Sequence, residues 1–224
     1  MPRTSIFVLT AAAAATACAL SACGPARMGA AAISGGDRIT VTTLSDQVSS
    51  LERAYHAGKG IQLQFPQSET PQEVLSWLLR FQIRDELAVR NHLVVTTGES
   101  QRALSLLAKQ TGRSGPAFVQ LAVANGLAPD MLPGLGRYEA IQSDMFTRLN
   151  GGTPPRTQAR IQALGPEFSR RECHAAKSLN IQVNPQFGQL DYGTYAVIPA
   201  KTPLSEPTAP APSPSTKPVL TPHC

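Results

Sequence analysis

Residues 70–91 have the sequence TPQEVLSWLLRFQIRDELAVRN, and this segment sets the architecture expected of the chain. Thr70 offers a hydroxyl cap, Pro71 suits the first helical position, and Glu73 can reach back to the first backbone N–H groups. These features predict a helix from Thr70 to about Asn91. Its apolar residues cover more than one face, whereas a peripheral helix needs one stripe of about 100°. We therefore expect a central helix, or one that leaves apolar surface exposed.

The residues before this segment predict a short strand followed by a helix. Apolar and polar residues alternate over residues 38–41, as in a half-buried strand. Thr43 is followed three residues later by Asp46, a capping-box pattern, so we expect a helix to begin at Thr43. One face of that helix is apolar and contains Leu44, Val48, Leu51 and Tyr55.

Three helical segments follow the long helix. Thr96 and Glu99 repeat the capping pattern and predict the start of the first segment. Glycines mark the three expected ends, near Gly112, Gly126 and residues 151–152. Pro133 and Gly134 are expected to separate the second segment from the third.

Residues 156–179 form the last helical pattern. Gly165-Pro166 is expected to break or kink it, because proline lacks a backbone N–H donor and crowds the preceding turn. Residues 181–183 and the following Asn184-Pro185 predict a strand and a turn. Since short strands are stable only as partners, we expect this strand and residues 38–41 to pair. The predicted fold is thus a mainly α-helical single domain closed by two short terminal β-strands.

The N-terminal residues 1–22 have the features of a bacterial export signal. Arg3 is basic, the apolar run after it is too short to span a bilayer, and small residues precede the expected cleavage point. Leu20-Ser21-Ala22-Cys23 resembles the lipobox of bacterial lipoproteins. This resemblance implies a mature chain that starts at a diacylglycerol-modified, acylated Cys23. The alternative is an ordinary secreted protein cut near Ala17 or Ala22, with Cys23 as a free thiol.

Lipidation predicts a location on the extracytoplasmic face of the cell membrane. Two acyl chains anchor a protein stably, and no later stretch approaches the roughly 20 apolar residues needed to cross the bilayer. Removal of residues 1–22 deletes one basic residue, so 19 basic and 15 acidic side chains remain, a formal charge of +4. The basic residues are scattered, so the expected partner is the lipid bilayer and not nucleic acid.

The composition divides the mature chain into three parts. Residues 23–36 are almost wholly small and are expected to form a lipidated, flexible tether. Residues 37–198 are expected to form the helical domain. Residues 199–224 contain eight prolines and predict an extended tail, either a disordered spacer or a ligand motif.

The order of these motifs resembles the SurA-like N-terminal chaperone domain of actinobacterial lipoproteins. Residues 36–44 (GDRITVTTL) are similar to its glycine, short strand and first helix, and residues 74–88 to its long second helix. Residues 93–96 (LVVT), followed by Glu99, resemble its next helix start, and residues 180–188 (NIQVNPQFG) its closing segment. The resemblance covers roughly residues 35 to 195.

This resemblance implies a helical domain that binds unfolded or extended polypeptides. The chain departs from the family at Gln186, where a basic residue is usual, and at Gly165-Pro166, which interrupts the last helix. The parvulin-type prolyl isomerase domain of the family does not follow residue 198. Isomerase activity is therefore not implied.

Motifs for catalysis, metal binding or cofactor binding are missing from the sequence. The four histidines are far apart, and no Gly-x-Ser-x-Gly, phosphate loop or dinucleotide fingerprint is present. Cys173 and His174 are adjacent on a predicted helix and so point in different directions, which does not suit a nucleophile and its base. We expect no enzyme activity, no metal and no cofactor. Cys173 and Cys224 can form a disulfide in an oxidising compartment, which would fold the tail back on the last helix.

Four residues on apolar helix faces are candidates for peptide binding. They are Trp77, Phe81, Tyr138 and Met145. Core packing is the ordinary role of such side chains, whereas an adaptable groove would use aromatic anchors and a flexible thioether. The expected function is a membrane-anchored chaperone that binds unfolded polypeptides without catalysis. The alternatives are a structural or scaffolding envelope lipoprotein and an enzyme with an unrecognised site.

Overall fold

The computed structural model describes residues 29–200 and Cys224. Cys23, the export signal and most of the Pro-rich tail lie outside the described residues, so the expectations for them stay predictions. The described part is mainly α-helical with short antiparallel strands, which confirms the predicted fold class. The elements are β1 (Ala30–Ser34), β2 (Asp37–Thr40), α1 (Val41–Ala57), a 3-10 turn (Gln67–Glu69), α2 (Thr70–Arg90), α3 (Thr97–Gln110), α4 (Pro116–Ala124), a second 3-10 turn (Pro129–Met131), α5 (Leu132–Leu149), α6 (Gln158–Ser178), β3 (Gln182–Val183), β4 (Gln189–Asp191) and β5 (Ala196–Ile198).

A three-stranded antiparallel sheet joins the two ends of the domain. Its order is β2-β1-β3, so the two predicted strands meet through β1 and not directly. Residues 30–34, expected within the flexible tether, instead form this central strand. Ala31 and Ala32 are almost fully buried, because strands pair on both sides of β1 and small side chains allow α1 and α2 to approach it. Gly35 and Gly36 have φ of +61° and +97° and make the two-residue turn to β2.

Helix α1 begins earlier than predicted. Thr40 and not Thr43 is the cap, and its hydroxyl accepts a hydrogen bond from the Thr43 N–H at 2.9 Å. Thr40 still has the extended backbone of β2, which a cap residue requires. The predicted apolar face is confirmed, with Leu44 and Leu51 buried in the core.

Helix α2 is the centre of the domain and ends where predicted. Thr70 lies inside the helix and does not cap it, since a 3-10 turn precedes it and its hydroxyl donates to the Gln67 carbonyl at 2.7 Å. The helix contacts α1, α5, α6, β1 and β5, so most of its apolar faces are buried. The fully buried side chains include Val74, Leu75, Leu79, Ile83 and Leu87.

One predicted interruption lies upstream of its expected position, since residues 125–131 separate α4 from α5, and a second one is absent. Pro133 and Gly134 lie in the first turn of α5, where a missing N–H breaks no intrahelical bond. Gly165-Pro166 lies inside α6, which is continuous. Pro166 and Gln162 are both exposed, so water can bond the Gln162 carbonyl that loses its partner.

A C-terminal hairpin that was not predicted closes over α2. Strands β4 and β5 pair, and the buried Val197 N–H donates to the Ser76 hydroxyl at 2.8 Å. Tyr195, in the hairpin turn, has φ of +51° and is 5% exposed. The elements of the described domain extend from Ala30 in β1 to Ile198 in β5.

Candidate functional site

An apolar groove opens where α2, α3, α4 and α5 meet. We call it the Trp77 groove, and its volume is about 220 Å³. Its surface is mostly apolar, as in sites that take apolar ligand groups. It is lined by Trp77, Leu107, Thr111, Phe118, Leu121, Ala122, Asn125, Leu127, Leu135 and Glu139.

Trp77 is held in the wall of this groove by a hydrogen bond. Its indole N–H donates to the backbone carbonyl of Asn125 at 2.8 Å. Asn125 caps the C-terminus of α4, where carbonyls lack intrahelical partners, so the bond satisfies both groups. The guanidinium of Arg80 lies 4.9 Å from the centre of the indole ring. The ring is only partly buried, which leaves it available to a ligand.

Helix α3 forms the outer wall of the groove and is loosely buried. The predicted capping box is confirmed, because the Thr96 N–H donates to Glu99 Oε2 and the Glu99 N–H donates to Thr96 Oγ1. None of its side chains is fully buried, and Leu106 is 56% exposed. Gly136 of α5 lets α3 approach closely, since a Cβ there would lie 2.6 Å from the Ser100 carbonyl oxygen.

The structure separates the four predicted peptide-binding residues. Trp77, Phe81 and Tyr138 form one aromatic cluster with ring centres 6.0 to 6.2 Å apart, but only Trp77 lines the groove. Met145 is fully buried and packs with Phe168 in a second core cluster, because it faces α6 and not the groove. The assignment of Met145 to a groove is therefore wrong.

Several groove residues were missed because they come from different helices. Leu107, Phe118 and Leu121 are apolar residues of separate helices, and only the tertiary fold brings them beside Trp77. Glu139 was not singled out at all. Its neighbours one helical turn away are Leu135, Gly136, Gln142 and Ser143, a pattern that gives no indication of a site.

A second hollow, of about 300 Å³, lies between α3 and α5. We call it the acidic hollow. It shares Leu107 and Glu139 with the Trp77 groove, so the two hollows are neighbours on the same side of the domain. Its lining is Glu99, Arg102, Ala103, Leu106, Leu107, Gln110, Glu139, Ala140, Ser143 and Asp144.

The carboxyl groups of the acidic hollow have shifted pKa values. Burial raises the pKa of Glu139, and Arg84 partly opposes the shift. Burial and the negative charge of Glu99 raise the pKa of Asp144. The pKa of Glu99 itself is lowered by the hydrogen bonds from the backbone and side chain of Thr96.

A buried ion pair lies behind the aromatic cluster. Arg84 and Glu172 are 2.7 Å apart, with side chains 2% and 6% exposed. The Arg84 guanidinium also lies 4.0 Å from the Tyr138 ring centre and donates to Gln142 at 3.0 Å. Arg84 thus links α2 to α6 through Glu172 and to α5 through Gln142. Burial raises the pKa values of the Tyr138 and Tyr195 hydroxyls in this region.

The cysteines beside this region form a disulfide between Cys173 and Cys224. Cys173 is thus not a free thiol in this state, and His174 beside it is exposed. The Tyr195 hydroxyl is 3.7 Å from Cys224 Sγ, so the disulfide lies against the C-terminal hairpin.

Within residues 29–200 and Cys224, no group of three or more His, Cys, Asp or Glu side chains could hold a metal ion. None of the helices described is long and apolar enough to cross a membrane. Comparisons of the chain with known family models, curated proteins and solved structures find no match. The arrangement of the two hollows is therefore the main guide to function.

Proposed function

We propose that the domain binds unfolded or extended segments of other polypeptides without catalysis. The observation that carries this proposal is the partly exposed Trp77 at the wall of an open apolar groove. An aromatic anchor in a concave apolar site can supply much of the affinity for a flexible chain. The exposed position of α3 adds further apolar surface at Leu106.

The resemblance to the SurA-like chaperone domain supports the same proposal. It rests on sequence motifs, of which the helix start at Thr96 and the strand at residues 181–183 coincide with elements of the fold. The strand β1, at the centre of the sheet, lies outside the matched motifs.

We further propose that the domain is held at the outer face of the membrane through a lipid on Cys23. Six residues, 24–29, separate Cys23 from β1, and six extended residues span at most about 20 Å. The domain would thus bind its clients close to the lipid headgroups. We expect Cys23→Ala to leave the membrane fraction, while Cys173→Ala remains in it. Detergent-phase partitioning measures both, and unchanged partitioning of Cys23→Ala rejects the anchor.

Aggregation of a reduced, unfolded client tests the function. The purified full chain in phosphatidylcholine nanodiscs is expected to lower light scattering from reduced insulin at near-equal molar ratio. Leu121→Asn in the groove should remove this effect. Val94→Asn is the matched control, because Val94 is 84% exposed and lines neither hollow. A fully folded chain with no effect on scattering contradicts the proposal and favours the structural lipoprotein.

A further inference from the structure

The Trp77 groove and the acidic hollow are neighbours along α3, and we call the two together the channel. Leu107 and Glu139 line both hollows, so an extended ligand that crosses these two side chains can occupy both. The channel runs from Glu99 in the first turn of α3 to Thr111 at its C-terminus. The twelve residue-to-residue steps between them rise about 18 Å, which matches five or six residues of an extended peptide.

The two ends of the channel differ in chemistry. The end near Trp77 is apolar, with Phe118 and Leu121 on the α4 side. The other end carries three carboxylates, from Glu99, Glu139 and Asp144, and one guanidinium, from Arg102. The net charge of these side chains when ionised is −2. A neutral apolar ligand would use only the first end.

The two carboxylates on α5 have no cationic partner in the part of the chain described. Neither Glu139 nor Asp144 forms an ion pair there. The positive charge of Arg84 on α2 lowers the pKa of Glu139, but Arg84 is already paired with Glu172 at 2.7 Å. Both carboxylates are partly removed from water by the channel walls. A cationic group of a ligand could therefore donate charge-assisted hydrogen bonds to both carboxylates.

We propose that the channel selects extended polypeptide segments in which a basic residue follows apolar residues at a distance of about four positions. This inference rests on the proposed peptide binding and adds the class of segment. Leucine or aromatic side chains of the ligand would contact Trp77, Phe118 and Leu121. A lysine or arginine would lie between α3 and α5, where its ammonium or guanidinium donates to Glu139 and Asp144.

Three labelled peptides without tryptophan test the selectivity. Each has ten residues, with two leucines followed four positions later by two lysines, two glutamines or two glutamates. The full chain is held in nanodiscs of zwitterionic phosphatidylcholine, which does not attract the lysine peptide by charge, and empty nanodiscs are subtracted. We expect fluorescence anisotropy to give affinities in the order lysine, glutamine, glutamate. The first and last should differ at least tenfold, and the difference should shrink as salt is added.

A matched pair of variants locates the effect. Glu139→Gln with Asp144→Asn should bind the lysine and glutamine peptides equally, while affinity for the glutamine peptide stays unchanged. Glu52→Gln with Asp46→Asn makes the same charge change at exposed positions of α1 and should retain the selectivity. Thermal unfolding checks that each variant is folded, and Asp144→Asn alone replaces the first pair if it is not.

The outcomes separate the inference from the proposed function. Equal affinity of the native chain for the three peptides overturns the selectivity and leaves peptide binding intact. The same loss of selectivity in both variant pairs also overturns it, since the effect would then come from overall charge. Failure to bind any of the peptides overturns the proposed function itself.

Discussion

Arg84 is the core residue whose burial costs the most free energy, because its charge is removed from water in the middle of α2. Glu172 compensates the charge, and the rings of Tyr138 and Phe168 cover it. Removal of one member of a buried pair leaves the other charge without a partner in a poorly solvated site. The pair therefore connects the stability of α2 to that of α6.

We expect Arg84→Met to lower the free energy of unfolding by about 3–5 kcal/mol, as for other broken buried pairs. The double variant Arg84→Met with Glu172→Leu should recover most of this loss. Asp85→Ala is the control, since Asp85 and Arg137 are 48% and 42% exposed and such pairs contribute about 0–1 kcal/mol. Urea unfolding measures all three, and similar losses in Arg84→Met and Asp85→Ala contradict this account of the core.

Glu139 is expected to lower stability at neutral pH. Burial raises the pKa of its carboxyl in the folded state, so the folded protein holds this proton more tightly than the unfolded chain. The contribution to stability is present below the unfolded pKa and is lost as pH rises through the folded pKa. Glu139→Gln should thus have a higher melting temperature than the native chain at pH 7, with the difference shrinking towards pH 4.

Calorimetry at both pH values measures this difference, with the exposed Glu52→Gln as control. A lower melting temperature of Glu139→Gln at pH 7 would show that the carboxylate is needed by the fold. Higher stability together with weaker binding of the lysine peptide would assign the carboxylate to ligand binding.

At the level of elements, the contact between α3 and α5 depends on Gly136. A Cβ at this position would meet the Ser100 carbonyl oxygen at 2.6 Å and Leu104 Cβ at 3.2 Å. We expect Gly136→Ala to cost about 1–3 kcal/mol of unfolding free energy, as for other overpacked sites. It should also weaken peptide binding, because α3 forms one wall of both hollows.

Gly98→Ala in α3 is the matched control for this prediction. Gly98 is exposed, and no atom beyond its neighbours in the helix lies within 4 Å of the added Cβ, so the change should leave stability unchanged or raise it by up to about 1 kcal/mol through helix propensity. Chemical unfolding of the two variants gives the comparison. Equal effects of the two substitutions would exclude a close helix contact at Gly136.

The helices were predictable from sequence where local chemistry decides them. The capping box at Thr96 and the apolar pattern of α2 both depend on residues three or four positions apart. The helix break expected at Pro166 does not occur, because water can satisfy an exposed carbonyl and sequence periodicity does not show which face is exposed.

The strands were less predictable because distant partners stabilise them. Strand β1 is three alanines, an isoleucine and a serine, a composition without strand preference, and it forms because β2 and β3 flank it. The hairpin of β4 and β5 had a weak indication in the turn at residues 192–195, which contains Gly193. The site was also less predictable because its residues are distant in sequence: Trp77 was identified as a candidate, and its neighbours in the groove were not.

In the whole molecule, strands from the two ends of the domain pair in one sheet, and the channel opens among the helices. Strand β1 pairs with both the N-terminal β2 and the C-terminal β3, and the final hairpin bonds α2 at Ser76. Leu104, Leu107 and Ala108 of α3 pack against the core, whereas Leu106 on the same helix is 56% exposed. The proposed peptide binding would give this exposed apolar surface a role.

Trp77→Ala tests this central claim most directly when stability and peptide affinity are measured on the same protein. The account predicts that peptide affinity falls by about 1–3 kcal/mol, as for other anchor residues, while unfolding free energy falls by less. Met145→Ala is the control, because Met145 is buried away from the groove and should lose about 2–5 kcal/mol of stability with native affinity in the folded fraction. A Trp77→Ala protein that loses about 3–5 kcal/mol of stability, with binding lost only through unfolding, would contradict the account.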